Sequence, residues 1–232
     1  MWLRNVLPRH HLDAESRDTV KVGIGFIATM TALVLGLVTA SAKSSFDAVN
    51  TAVKQTSANI LSLDRLLARY GPETGGIRSE LQQLVRAKLQ EIWQEEGGGE
   101  ALDPTKGGTE MTAEDLVQPI RALDPHDDSQ RALKTRALEL VESILQTRWF
   151  MLVGGETVPL PFLGILLFWL TITFTSFGLY APRNFTVLAI LFVCAASVSS
   201  ALFLVLEMDG PFDGLIKASA GPLRYALTHI NR

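Results

Sequence analysis

The chain has 232 residues, of which 47% are hydrophobic and 19% are charged, and its formal net charge is -3. This length suits one group of membrane helices together with one modest polar domain. The charge balance is not that of a nucleic-acid-binding protein. The single cysteine, Cys194, excludes an intrachain disulfide.

The first predicted element is a membrane-spanning helix over residues 20–42. No Asp, Glu, Lys or Arg lies between Lys21 and Lys43. At about 1.5 Å per helical residue, an uncharged run of this length covers the roughly 30 Å of hydrocarbon in a bilayer. Residues 1–19 precede the span as a basic-leaning juxtamembrane leader, which is too polar to act as a cleavable signal peptide.

Small side chains follow one face of this first span. They are Gly25, Thr29, Ala32, Gly36 and Ala40, at steps of three or four residues. Such steps place them on one side of a helix, where small residues let two helix backbones approach closely. Two interpretations are open: packing within the chain, and an interface between copies or the lining of a pore.

The first helix is expected to continue beyond Lys43 as a polar helix with an apolar stripe. Apolar side chains recur at near-heptad spacing as far as Tyr70, and neither Gly nor Pro intervenes before Gly71. Asn50 and Asp64 lie beside this stripe. They are either ordinary surface residues or polar groups that set the register of an oligomer.

Three further amphipathic helices are predicted before the next membrane span. They cover about residues 76–96, 112–123 and 128–149, separated by a Gly-rich loop and by Pro125. Thr112 with Asp115 forms a near capping pattern, and Asp128 or Ser129 is the expected cap of the last helix. These helices together predict an extramembrane helical bundle over residues 43–161.

Two more uncharged runs, residues 162–181 and 185–206, predict a membrane hairpin joined by Pro182, Arg183 and Asn184. Hydroxyl side chains within these spans are expected to bond to their own helix or to a neighbouring one. Residues 207–232 predict a juxtamembrane tail with an interfacial helix. The predicted fold is therefore all-α: integral membrane helices with the helical bundle inserted between the first span and a C-terminal transmembrane hairpin.

Positive charge near the spans predicts their orientation. The basic residues near the membrane before the first span are Arg4, Arg9, Arg17 and Lys21, and Arg183 lies in the hairpin. With three spans, these positions share one side of the bilayer, which the positive-inside rule makes cytoplasmic. The chain is then a multi-pass protein of the cell (inner) membrane with an extracytoplasmic bundle and tail.

No motif predicts catalysis, a cofactor or a metal. His10 and His11 are adjacent, so they point in different directions on a helix, and no second histidine cluster completes a metal shell. Three acids gather where the last span ends: Glu207, Asp209 and Asp213. They form either a solvated turn or a turn that senses a cation or another ligand.

Several segments resemble the bestrophin-like domain family, a group of small bacterial membrane proteins. They are residues 7–47, LLARYGPET at 66–74, QTRWFML at 146–152, residues 168–187, and LEMDGPFDGLIKASAGPLR at 206–224. The resemblance implies four spans, an inserted helical domain and distant kinship to bestrophin anion channels. The matching segments begin where the first of those four spans would end. Either the start codon was assigned too far downstream, or the protein has three spans, which is the number expected here.

Two functions of different classes are expected. The first is a homo-oligomeric channel-like protein that passes small ions, by resemblance anions, with Gly25, Thr29, Ala32 and Gly36 lining the pore. The acids Glu207, Asp209 and Asp213 would then lie near its mouth. The alternative is a non-conducting scaffold or sensor whose helical bundle binds a protein partner. Neither an enzyme nor a nucleic-acid-binding protein is expected.

Overall fold

The computed structural model describes residues 14–93, 112–153, 160–180, 184–212 and 214–231. Within these ranges all regular secondary structure is helical, as predicted. The helices are α1 (Ala14–Tyr70), a 3-10 turn (Pro72–Thr74), α2 (Gly75–Ile92), α3 (Val117–Ala122), α4 (Asp128–Val153), α5 (Leu160–Tyr180), α6 (Phe185–Asp209) and α7 (Gly221–His229). Predictions for the leader before Ala14, the loop at 94–111 and the hairpin connection at 181–183 lie outside the described residues.

Helix α1 runs without interruption for 57 residues, which confirms that the first span continues into a polar helix. It belongs to two compact units: residues as far as Ser45 to the first, and residues from Phe46 onward to the second. The helix ends at Tyr70 because the next residue, Gly71, adopts a φ of 150°, and Pro72 follows it. The predicted stop signal is therefore the observed one.

The first unit contains the beginning of α1 together with α5 and α6. These are three helices long and apolar enough to cross a membrane. Many of their large apolar side chains are exposed, including Phe26, Phe168 and Phe192. Such exposure is unfavourable in water and suits hydrocarbon, where a helix also satisfies its own backbone hydrogen bonds. One internal contact joins α1 to α6 through fully buried Ala42 and Val205.

The second unit is a bundle made by the rest of α1 with α2, α3, α4 and α7. Its core takes buried side chains from all five helices: Ile60, Leu63 and Leu67; Ile77, Leu81, Leu84, Val85 and Leu89; Ile120; Ala137, Leu140, Val141 and Ile144; Leu223 and Ala226. The amphipathic stripes predicted for α1, α2 and α4 supply most of this core. The contribution of α7 was not predicted, since the sequence assigned its apolar face to the membrane interface.

The start of α4 differs from the prediction by one residue. Its cap is Asp127, not Asp128 or Ser129, because Oδ1 of Asp127 accepts the backbone N–H of Gln130 at 2.6 Å. The side chain of Gln130 in turn accepts the N–H of His126 at 2.7 Å. The arrangement differs from a capping box, because the Gln130 side chain bonds to the residue before the cap and not to the cap itself.

The pattern predicted upstream of α3 is present. The N–H of Thr112 donates to Oδ2 of Asp115 at 2.5 Å, and the N–H of Asp115 donates to the carbonyl of Thr112 at 3.0 Å. These bonds form a turn, and the α-helix itself begins only at Val117. The Thr112–Asp115 pair therefore fixes the approach to α3 and does not cap it directly.

Candidate functional site

The small-residue face of α1 is open in the structure. Gly25, Thr29, Ala32 and Gly36 are all exposed, as is Ala40. A Cβ atom added at Gly25 or at Gly36 would meet no heavy atom within 4 Å. Within the part of the chain that the structure describes, packing inside the chain therefore does not account for this face.

Contacts within the first unit use a different side of α1. Ile24, Thr31 and Ala42 are buried there, at 7%, 5% and 0% exposure. With about 100° between successive helical residues, these positions lie roughly 120° or more around the helix from Gly36. The small residues are thus left to lipid or to another molecule.

The exposed side chains beside the small-residue face are large and apolar. Phe26, Leu33 and Leu37 are 65%, 57% and 63% exposed. Large flexible side chains of this kind pack well against lipid tails, whereas glycine and alanine leave a shallow groove that another helix can fill. The groove, defined by Gly25, Thr29, Ala32 and Gly36, is the candidate helix interface.

Hydroxyl groups in the three apolar helices bond to their own backbone, as predicted. Thr29 Oγ1 donates to the carbonyl of Gly25 at 2.9 Å. Thr171 does the same to Leu167 at 2.7 Å, and Ser197 to Val193 at 2.8 Å. Thr29 is the only groove residue with a hydroxyl group, and its proton is donated to the carbonyl of Gly25. The hydroxyl oxygen can still accept a hydrogen bond.

The acids predicted to form a mouth or sensing turn are only partly described. Glu207 and Asp209 lie in the last turn of α6, are partly buried, and each has an interaction partner. Asp213 lies outside the described residues. Among the residues that are described, no three His, Cys, Asp or Glu side chains are placed to hold a metal ion together. The role of these acids stays a prediction.

A buried ion pair holds the bundle end of α1. Asp64 is fully buried and accepts hydrogen bonds from Nε and Nη2 of Arg78 at 2.8 and 3.1 Å. The backbone N–H of Asn231 approaches the same carboxylate at 3.3 Å. The hydrogen bond to Asp64 raises the pKa of the Arg78 guanidinium.

These contacts join α1, α2 and the residues after α7 through one carboxylate. Both interpretations of Asp64 from the sequence are therefore wrong. It is neither a surface residue nor a contact between copies, but a link inside the bundle. Arg78 lies 14 residues further along the chain and on another helix, so periodicity alone gave no sign of the pair.

A protein-family model matches most of the chain. The family model for the Bestrophin-like domain matches residues 1–223, which includes all three apolar helices and nearly all of the bundle. The chain belongs to the Bestrophin-like family. No curated protein and no solved structure matches it. For this Bestrophin-like protein the family match confirms the resemblance found in the sequence, and the family's members supply no assigned activity.

Proposed function

We propose that this Bestrophin-like protein forms a homo-oligomer in the cell (inner) membrane and passes small ions along a path lined by α1 of several copies. The observation that carries the proposal is the open groove of Gly25, Thr29, Ala32 and Gly36. The described residues of one chain supply three helices long and apolar enough to cross a membrane, too few to enclose a path by themselves. A closed ring of copies would surround one.

The uncharged groove suits an assembly in which helices approach closely. Glycine and alanine bring backbones near enough for dispersion contacts, which are a main source of attraction between helices in lipid, and for weak Cα–H···O bonds. Thr29 adds a hydroxyl oxygen to an otherwise apolar lining. The kinship to bestrophin anion channels that the resemblance implies supports anions as the ions conducted.

The bundle core supports the proposed three-span topology. Helix α7 follows α6 in the chain, yet Leu223 and Ala226 are buried in the same core as Ile60 of α1. In the proposed topology, the residues on both sides of the α5–α6 pair therefore lie on one side of the bilayer, with an even number of crossings between them. Two crossings satisfy this, and the distribution of Arg and Lys supports an extracytoplasmic bundle.

Anion flux into liposomes tests the conduction proposal. Gly36→Leu fills the groove, and we expect it to abolish or strongly reduce flux of the reconstituted protein. Gly23→Leu is the matched control. Gly23 is also exposed with no heavy atom within 4 Å of an added Cβ, but it lies about 140° around the helix from Gly36. Unchanged flux in Gly36→Leu would contradict a pore lined by this face.

The second candidate is a non-conducting scaffold or sensor whose bundle binds a protein partner. It is favoured by the absence of Asp, Glu, Lys and Arg between Lys21 and Lys43, because transport paths often carry an ionisable residue. A protein that assembles but shows no flux above that of empty liposomes would favour this alternative. In that case, Gly36→Leu would leave capture of a partner by the bundle unchanged.

A further inference from the structure

An open cleft lies in the bundle where α1 ends and α4 begins. Its volume is about 550 Å³. The lining residues come from the end of α1, the 3-10 turn, and the segment between α3 and α4: Tyr70, Gly71, Pro72, Glu73, Ala122, Leu123, Asp124, His126 and Gln130. All of these belong to the second compact unit.

The carboxylates that line the cleft belong to two exposed side chains. Glu73 and Asp124 are among its lining residues, and none of the lining residues is Lys or Arg. The C-terminal end of α1 adds the partial negative charge of a helix terminus, with Arg69 in the same last turn. The ammonium of Lys134 is nearby but already bonded to the carbonyls of Arg121 and Leu123, at 2.7 and 2.8 Å.

Tyr70 provides a second and independent sign of a ligand. Its side chain is 4% exposed, and its buried hydroxyl has no hydrogen-bond partner. Leaving a buried polar group unsatisfied costs about 1–3 kcal/mol, so such groups in folded proteins generally have a partner. Burial and then the charges of Glu73, Asp124 and Asp127 raise the pKa of this phenol, which keeps it neutral at physiological pH.

The turn that forms one wall of the cleft is fixed independently of any ligand. Thr74 is fully buried, and its Oγ1 lies 2.6 Å from the carbonyl of Leu67 and 2.8 Å from that of Gly71. Gln130 donates from Nε2 to the carbonyl of Tyr70 at 3.0 Å, which ties the start of α4 to the end of α1. A preformed wall of this kind reduces the ordering cost of binding.

A single metal ion does not suit this arrangement, because no three acid, His or Cys side chains among the described residues are placed to coordinate one. The acids are spread around a cleft that is large enough for several non-hydrogen atoms. We propose that the cleft binds a small organic cation with a primary ammonium group, paired with Glu73 and Asp124 and hydrogen-bonded to the Tyr70 hydroxyl. The Tyr70 oxygen would accept an ammonium N–H.

Calorimetric titration of the detergent-purified full chain with n-butylammonium chloride tests this proposal. We expect saturable binding at or below about 10 mM, and weaker or undetectable binding of n-butanol, which has the same length without the charge. NaCl keeps the ionic strength constant, so that general screening of surface acids is the same in both titrations. Equal binding of the alcohol, or no saturable binding of the ammonium ion, would overturn the proposal.

Three variants assign the binding to the cleft. The double change Glu73→Gln with Asp124→Asn removes two charges, and we expect the Kd to rise about tenfold or more. Tyr70→Phe removes only the hydroxyl, for an expected rise of about fivefold to tenfold in Kd. Glu142→Gln is the control, because Glu142 is exposed on α4 about 18 Å along the helix from Gln130.

The Tyr70→Phe variant also separates ligand binding from a purely structural role. Because the hydroxyl has no partner inside the protein, its loss is expected to leave the thermal midpoint unchanged or to raise it, while ligand affinity falls. A fall in affinity for Glu142→Gln equal to that of the double variant would contradict the assignment. So would unchanged affinity in Tyr70→Phe.

Discussion

Asp64 and Tyr70 are two polar side chains buried near the same end of α1, and their surroundings differ. Asp64 is fully buried and has hydrogen bonds from Arg78 and a backbone contact to Asn231. The Tyr70 hydroxyl has no partner in the chain. The first residue therefore stabilises the bundle, whereas the second has an unused hydrogen-bonding capacity.

Removing the partner of Asp64 is expected to destabilise the bundle strongly. Arg78→Met leaves a fully buried carboxylate without its main partner, which typically costs about 3–5 kcal/mol. Hydrogen exchange of the α2 amides measures this loss as a lower free energy of opening. Arg86→Met is the control on the same helix. Arg86 is exposed, and the change there is expected to stay within about 0.5 kcal/mol. Equal protection in the two variants would show that the ion pair contributes little.

The raised pKa of Tyr70 predicts a loss of stability in alkali. Its causes are burial first and then Glu73, Asp124 and Asp127. Above about pH 10, the unfolded chain releases this phenolic proton while the folded chain keeps it. The unfolded state then binds fewer protons, so the free energy of unfolding falls as the pH rises toward the folded pKa.

Denaturation at pH 9 and at pH 10.5 tests this linkage. Tyr70→Phe is expected to lose less stability between the two pH values than the unchanged protein does. Tyr225→Phe serves as the control because Tyr225 is 59% exposed. If Tyr70→Phe shows the same alkaline loss as the unchanged protein, Tyr70 is not the source of it.

At the scale of single elements, the turn after α1 depends on one glycine. Gly71 has a φ of 150°, a conformation that residues with a side chain rarely adopt, and an added Cβ would collide with the carboxylate of Glu73. The Glu73 side chain is flexible and can move away. The backbone strain cannot be relieved without altering the turn itself.

Opposite effects are therefore expected for two nearby glycines. Gly71→Ala should lower the free energy of unfolding by about 1–3 kcal/mol because of backbone strain. Gly76→Ala should raise it by about 0.5–1 kcal/mol, since Gly76 is helical and exposed with open space around an added Cβ. Thermal denaturation followed by circular dichroism compares them. Two changes of the same sign would contradict the assignment of the strain to Gly71.

The elements were predictable where their signals are local. The heptad-like stripe on α1 contains Val53, Ile60, Leu63 and Leu67, and all four are buried. The choice of cap for α4 was less predictable because Asp127, Asp128 and Ser129 are all good capping residues. The choice depends on hydrogen bonds of Gln130, including one to Tyr70, which is 60 residues away in the chain.

At the scale of the whole molecule, long-range packing limited what the sequence could predict. The small-residue face was visible because helical spacing follows from the backbone alone. The pairing of Asp64 with Arg78, and the burial of Leu223 and Ala226 in the bundle core, depend on how separate helices meet. The cleft at Tyr70 was missed for the same reason, since its walls come from segments about 50 residues apart.

The central claim is that copies of this Bestrophin-like protein assemble through the groove of Gly25, Thr29, Ala32 and Gly36. The exposed groove, where an added Cβ at Gly25 or Gly36 meets no heavy atom within 4 Å, motivates the claim, and the ion path proposed here depends on it. Gly36→Leu fills the groove, whereas Gly23→Leu adds the same side chain on another side of α1. Comparing the two variants shows whether assembly depends on this face of the helix.

Native mass spectrometry of the detergent-purified protein tests the claim most directly. We expect a closed ring of about four or more copies, which Gly36→Leu disrupts or reduces in size and Gly23→Leu leaves intact. A monomer or a dimer for the unchanged protein would contradict the account. A ring that persists in Gly36→Leu would show that the copies assemble through a different surface.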